Sequence, residues 1–88
     1  MKDLQTLRTK IDSIDDDIAD LLIQRVEIIK QVGKIKKANN VPVQNPEREQ
    51  EVIKRLSKQT EGKVSKSLIQ KLWHAIFANA YEVEENSK

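Results

Sequence analysis

No cysteine occurs among the 88 residues, and there is one histidine, at position 74. The first absence excludes a disulfide framework, a thiolate nucleophile, a Cys-ligated zinc and a c-type haem attachment. The second excludes a histidine metal cluster. Glycine and proline number two each, so there is no glycine-rich phosphate loop and no Gly/Ser linker. Aromatics are three, Trp73, Phe77 and Tyr81, too few for an aromatic stacking surface. No uninterrupted apolar run reaches signal-peptide or membrane length, which leads to the expectation of a soluble, cytoplasmic protein without membrane contact. Charge of one sign is also lacking, because 16 basic residues stand against 14 acidic ones. The signs interleave along the chain as on solvated helix faces, and a nucleic-acid partner is not implied.

What is present is a long heptad. Leu4, Leu7, Ile11, Ile14, Ile18, Leu21, position 25, Ile28, Val32 and Ile35 follow one another at spacings of three and four, the period of a helix with one apolar stripe. A helix over about residues 3–38 would be roughly 50 Å long. A compact chain of this size has a radius of gyration of only ~12 Å and a diameter near ~30 Å. Such a helix outruns its own domain, and a domain this short buries only roughly 60–65% of its unfolded surface. Its unbroken heptad therefore predicts a second subunit packed along it.

Asn45-Pro46-Glu47 has a capping residue, a proline suited to the first helical position and an acid that complements the dipole. It opens a second helix, about residues 46–59, with Val52, Ile53 and Leu56 as its stripe. After Gly62, Val64 and Ser65 read as staple and cap of a third helix, about residues 65–85. Leu68, Ile69, Leu72, Ile76 and Ala80 are expected to face inward there, and the aromatics at spacings of four read as core packing. The expected fold is all-α, with three helices per chain in a single domain over residues 1–88, assembled as a helical dimer.

Some charges sit where apolar residues belong. Arg25 takes the heptad slot between Leu21 and Ile28, and a guanidinium held in such a seam needs an anion. Lys36 lies eleven residues on, about 20° from the same azimuth and ~16 Å along the axis, so both side chains can reach one ligand. Glu49 projects with Ile53 and Leu56, with Arg48 beside it, and Glu84 ends the stripe of Ile76, Phe77 and Ala80. Arg8 lies ~25 Å from Arg25 and about 100° around, so the two can share a small ligand only if Arg8 comes from another chain. Two readings stand. The charges can pair internally, Arg25 with Glu84, Lys36 with Glu49, and Arg48 with Glu51 or Glu82. Alternatively, a pocket richer in cations than acids suits a small organic di-anion.

At these residues the chain resembles the all-helical AroQ-class chorismate mutases. The resemblance is carried by Leu7-Arg8-Thr9-Lys10-Ile11-Asp12-Ser13-Ile14-Asp15, Leu21-Leu22-Ile23-Gln24-Arg25, Val32-Gly33-Lys34-Ile35-Lys36 and Pro42-Val43-Gln44-Asn45-Pro46-Glu47-Arg48-Glu49, in that order. The resemblance implies an intertwined helical homodimer with two equivalent pockets that rearranges chorismate to prephenate, on the route to phenylalanine and tyrosine, with no cofactor and no metal. It implies that Arg8 reaches the partner's pocket and that Arg25 grips a substrate carboxylate. Lys36 would bind a carboxylate and the ether oxygen whose bond breaks. Arg48 would support the pocket, and Glu49 would accept from the substrate hydroxyl.

Three positions depart from the family's pattern. Asn45 stands where Asp is frequent, Ala80 where many members have a Ser that touches a substrate carboxylate, and Glu84 where bacterial members commonly carry Gln. A Gln donates to the ether oxygen at any pH, whereas a Glu donates only when protonated, so activity is expected to rise as pH falls below neutrality. The same resemblance leaves two alternatives, an isochorismate-pyruvate lyase and a non-catalytic helical dimerisation or regulatory module of an aromatic-biosynthesis enzyme. A regulatory partner enzyme of that pathway also stays open.

Overall fold

In a computed structural model, residues 2–87 are described and form three helices: α1 over Lys2–Ala38, α2 over Pro46–Gln59 and α3 over Lys66–Asn86. No strand occurs among the described residues. The helices begin and end within a residue of their expected positions because the stop and start signals are local. Asn45 accepts from the Arg48 N–H at 3.1 Å with Pro46 in the first turn, and Ser65 accepts from the Leu68 N–H at 3.0 Å. Gly62 takes the left-handed conformation, φ +76°, between α2 and α3, and Asn40 does so, φ 55°, after α1.

The helix α1 runs through Gly33 without a break, and the molecule extends 56 Å in its longest direction with a radius of gyration of 16.3 Å. That is well above the ~12 Å of a compact chain this size. α3 packs on α1 on one side and on α2 on the other. The core consists of Val52 from α2 and Ile69, Phe77 and Ala80 from α3, joined by one charged residue, Glu84.

Two expectations about facing residues are corrected. α1 turns a second stripe to α3, made of Arg25, Ile29, Val32, Gly33 and Lys36, all at least half-buried, while Ile28 and Ile35 stay 59% and 63% exposed. Ile28 and Ile35 each precede a residue of that stripe, and one residue turns a helix by about 100°. The heptad seam and the α3-facing stripe are therefore neighbouring faces that share Arg25 and Val32. On α3, Leu68 and Leu72 are exposed rather than inward. With α1 and α2 covering the side marked by Ile69, Phe77, Ala80 and Glu84, these two leucines fall on a flank that neither helix reaches.

Candidate active site: a cation cluster closed by a buried glutamate

The last turns of α1 bring Lys36 against the end of α3. Lys36 Nζ lies 2.7 Å from Glu84 Oε1 and donates to the Val43 carbonyl at 2.6 Å. The glutamate side chain is 3% exposed and the lysine 17%. The approach to Oε1 is off the line of a hydrogen bond, so this buried oxygen has a charge partner but no directional donor. Ser57 Oγ, in α2, is the other buried side-chain atom without a hydrogen-bond partner among the described residues.

A glycine makes the approach of the two helices possible. A methyl at Gly33 would stand 2.8 Å from Glu84 Cα and 2.9 Å from its carbonyl oxygen, closer than any side chain tolerates. Gly33 is less than one turn before Lys36, so the backbone contact sets the span between the ammonium and the carboxyl. Val41 N–H closes on the Lys36 carbonyl at 2.8 Å, turning the chain back so that Val43 meets the lysine.

Arg25 sits on the same stripe, three turns before Lys36. Burial lowers its pKa first, the positive charge of Arg48 lowers it further, and Glu84 works the other way. It keeps its charge at neutral pH. Arg25 thus feels the repulsion of Arg48 and the attraction of Glu84, and a bound anion would relieve that repulsion. Arg48 itself is exposed and contacts Glu51 at 3.2 Å, a pair that is 62% and 67% exposed. An exposed pair one turn apart contributes little, so Arg48 is easily released to a ligand.

Of the internal pairings expected from sequence, Arg48 with Glu51 occurs. Lys36 pairs with Glu84 rather than Glu49, because Gly33 draws the end of α3 onto α1 there. Arg25 meets Glu84 only through charge. Glu49 instead accepts from the Tyr81 hydroxyl at 2.6 Å, and that hydroxyl accepts from the Asn45 N–H at 3.1 Å. Tyr81 therefore departs from the core role expected of the aromatic stripe, whereas Phe77 keeps it. Burial raises the tyrosine pKa, as does the bond to Glu49, while the Asn45 N–H lowers it. Its spacing from Phe77 hid this hydroxyl. The signal that could have revealed it is a tyrosine one residue after Ala80 on a stripe ending in an acid.

The structure gathers Arg25, Lys36, Arg48, Glu49 and Glu84, with Asn45 at the start of α2 and buried Ala80 one turn before Glu84. Arg8 does not join them; it is exposed on the far half of α1. Two hollows border the cluster. A groove of about 720 Å³ between α2 and α3 begins at Glu49 and runs past Ile53 and Ser57 to His74, and a smaller one of about 240 Å³ lies between Arg25 and Ile76. Among the described residues no group of three or more His, Asp or Glu is placed to hold a metal ion, and no helix is long and apolar enough to cross a membrane.

The chain matches the family Chorismate mutase type II over residues 7–85. Curated relatives include a bifunctional chorismate mutase/prephenate dehydratase of Aquifex aeolicus, 43% identical over 73% of this chain and 18% of its own length. The T-protein of Haemophilus influenzae is 34% identical over 96% of this chain and 22% of its own. A chorismate mutase of Methanocaldococcus jannaschii is 38% identical over 62% of this chain and 56% of its own. The chain thus spans about a fifth of the length of the first two relatives. A match from Leu7 to Glu85, across all three helices that build the cation cluster, makes the chain a member of the type II chorismate mutase family.

Proposed function

We propose that this chain rearranges chorismate to prephenate, with Arg25, Lys36, Arg48, Glu49 and Glu84 forming its pocket. The observation that carries the reading is the meeting of Lys36 with a nine-tenths-buried Glu84 beside two further arginines. Chorismate has two carboxylates, a hydroxyl and an ether oxygen, and the cluster offers a counterpart for each. Arg25 and Arg48 hold the carboxylates, Glu49 accepts from the hydroxyl, and Lys36 turns from Val43 toward the ether. A Claisen rearrangement is intramolecular and requires no nucleophile or net proton transfer. It requires the extended side chain folded over the ring and donors aimed where negative charge grows as the C–O bond lengthens.

Glu84 stands where a second donor to the ether oxygen is needed, and a carboxyl donates only in its protonated form. Turnover is then greatest at low pH and falls as pH rises. The test is chorismate disappearance by ultraviolet absorbance from about pH 5 to about pH 8, in the wild type and in Glu84→Gln. Turnover that declines with pH in the wild type alone supports the protonated carboxyl. An unchanged profile in the variant removes it, and turnover of isochorismate in place of chorismate would move the activity to a pyruvate lyase.

The same reading includes a homodimer. The chain exposes 7321 Å², whereas a folded monomer of its mass exposes ~5300 Å² by size scaling. The excess of ~2000 Å² per chain falls in the range of obligate interfaces. Its apolar share lies on the seam, where Leu7, Ile11, Ile14, Ile18 and Leu21 are each more than half exposed. A second α1 running antiparallel along it would carry its Arg8 to the Arg25 end. Two of the relatives are named as bifunctional with a prephenate dehydratase, so an enzyme that consumes prephenate is the natural partner, in the cytoplasm.

A further inference from the structure

The start of α2 departs from a common pattern in one respect. In a capping box the N-cap side chain accepts from the backbone N–H three residues on, and a Glu or Gln at that third position reaches back to the N-cap N–H. Asn45 performs the first half, through its 3.1 Å bond from the Arg48 N–H. The third position is Arg48 itself, which has no acceptor to offer. The Asn45 N–H is taken instead by the Tyr81 hydroxyl, from α3, 36 residues away. One phenol thereby supplies the acceptor that Arg48 cannot, and ties the first turn of α2 to α3.

The hydroxyl's own proton goes to Glu49 Oε2 at 2.6 Å, a short bond of the charge-assisted kind. A carboxylate held at one oxygen keeps the other for a second donor, and Glu49 Oε1 takes no bond from the described residues. Glu49 is also kept from Lys36, its alternative partner, which is committed to Glu84 and the Val43 carbonyl.

We propose that Tyr81 is a positioning residue for the rearrangement: by accepting from the Asn45 N–H and donating to Glu49 Oε2, it aims Glu49 Oε1 at the substrate hydroxyl. This rests on the reading of Glu49 as the acceptor of that hydroxyl. Tyr81 touches no reacting atom. It acts through Glu49 and through the seating of Arg48, and its effect belongs to binding and orientation rather than to the ether oxygen.

Two measurements test the proposal. Tyr81 is the chain's one tyrosine, so its ionisation can be followed by tyrosinate absorbance without interference from another phenol. In the wild type it should ionise above the ordinary tyrosine range, held there by burial and by Glu49, and in Glu49→Ala it should ionise at lower pH. A titration unmoved by Glu49→Ala overturns the proposal whether or not the protein turns chorismate over.

The second measurement is a kinetic cycle of Tyr81→Phe, Glu49→Ala and the double variant, with thermal unfolding of each. Tyr81→Phe is expected to lower kcat/KM about tenfold, mainly through KM, the scale of one lost bond to a charged acceptor. In the Glu49→Ala background the same change should cost little further. Equal losses in both backgrounds would make Tyr81 a structural strap and overturn the positioning role. If the titration moves but Glu49→Ala turns over like the wild type, the fault lies in the reading of Glu49, and the positioning role falls with it.

Discussion

The two halves of α1 have the same heptad and opposite surroundings. From Leu4 to Leu21 its apolar seam lies open, with side chains 41–60% exposed, and the only site candidate there, Arg8, is far from any other. From Arg25 to Lys36 a second stripe is covered by α3 and leads into the cation cluster. Periodicity shows that a helix face must be covered. It does not say by which partner, and here one helix is divided between a partner within its own chain and, in our reading, one from another.

The sharpest way to break that division is to charge the open half. Ile14→Glu changes nothing that α3 touches, yet in a two-fold assembly it places two carboxylates in the seam, at several kcal/mol each. Sedimentation should show dissociation, and turnover should be lost in dilute protein as the partner's arginine leaves the pocket. A variant that stays dimeric and active would assign the seam to some other purpose. On the covered half, Lys36→Ala removes what we propose is the donor to the ether oxygen, and kcat/KM should fall at least ~10²-fold, as for one oxyanion donor. Near-normal turnover would take Lys36 out of the chemistry. The smallest effect is expected at Gly33→Ala. Overpacking against the Glu84 backbone costs about 1–3 kcal/mol, set against at most ~1 kcal/mol of helix propensity gained. The melting temperature should drop by several degrees, with a few-fold loss of kcat as Glu84 is pushed from Lys36; an unchanged melting temperature would mean that α3 yields freely.

Much of this arrangement was legible in the residues. The helix ends followed from Asn45-Pro46 and from Ser65, whose side chains cap within one turn and so depend on nothing distant. Glu84 stood out because a carboxylate at the end of the Phe77 and Ala80 stripe has to be buried with them. What escaped came from contacts between elements. The α3-facing stripe of α1 begins one residue beside the seam, a shift that apolar counting does not resolve where Ile28 and Ile29 are adjacent. The Val43 carbonyl that holds Lys36 is a backbone group, which no residue pattern marks. Tyr81 kept the spacing of a core aromatic while its hydroxyl reached Asn45 and Glu49, and only the packing of α3 on α2 brings those atoms together.

The close contact at Gly33 has a consequence for how α1 and α3 are spaced. Since two backbones touch there, the gap between Lys36 and Glu84 is gauged by main-chain atoms rather than by side chains that could swing aside. A larger residue there would push the two backbones apart, and Lys36 and Glu84 would then have to reach across the wider spacing. The spacing of α1 and α3 at that end of the cluster is thus set by a side chain reduced to a hydrogen, and altering it calls for a change in how far apart the two helices stand.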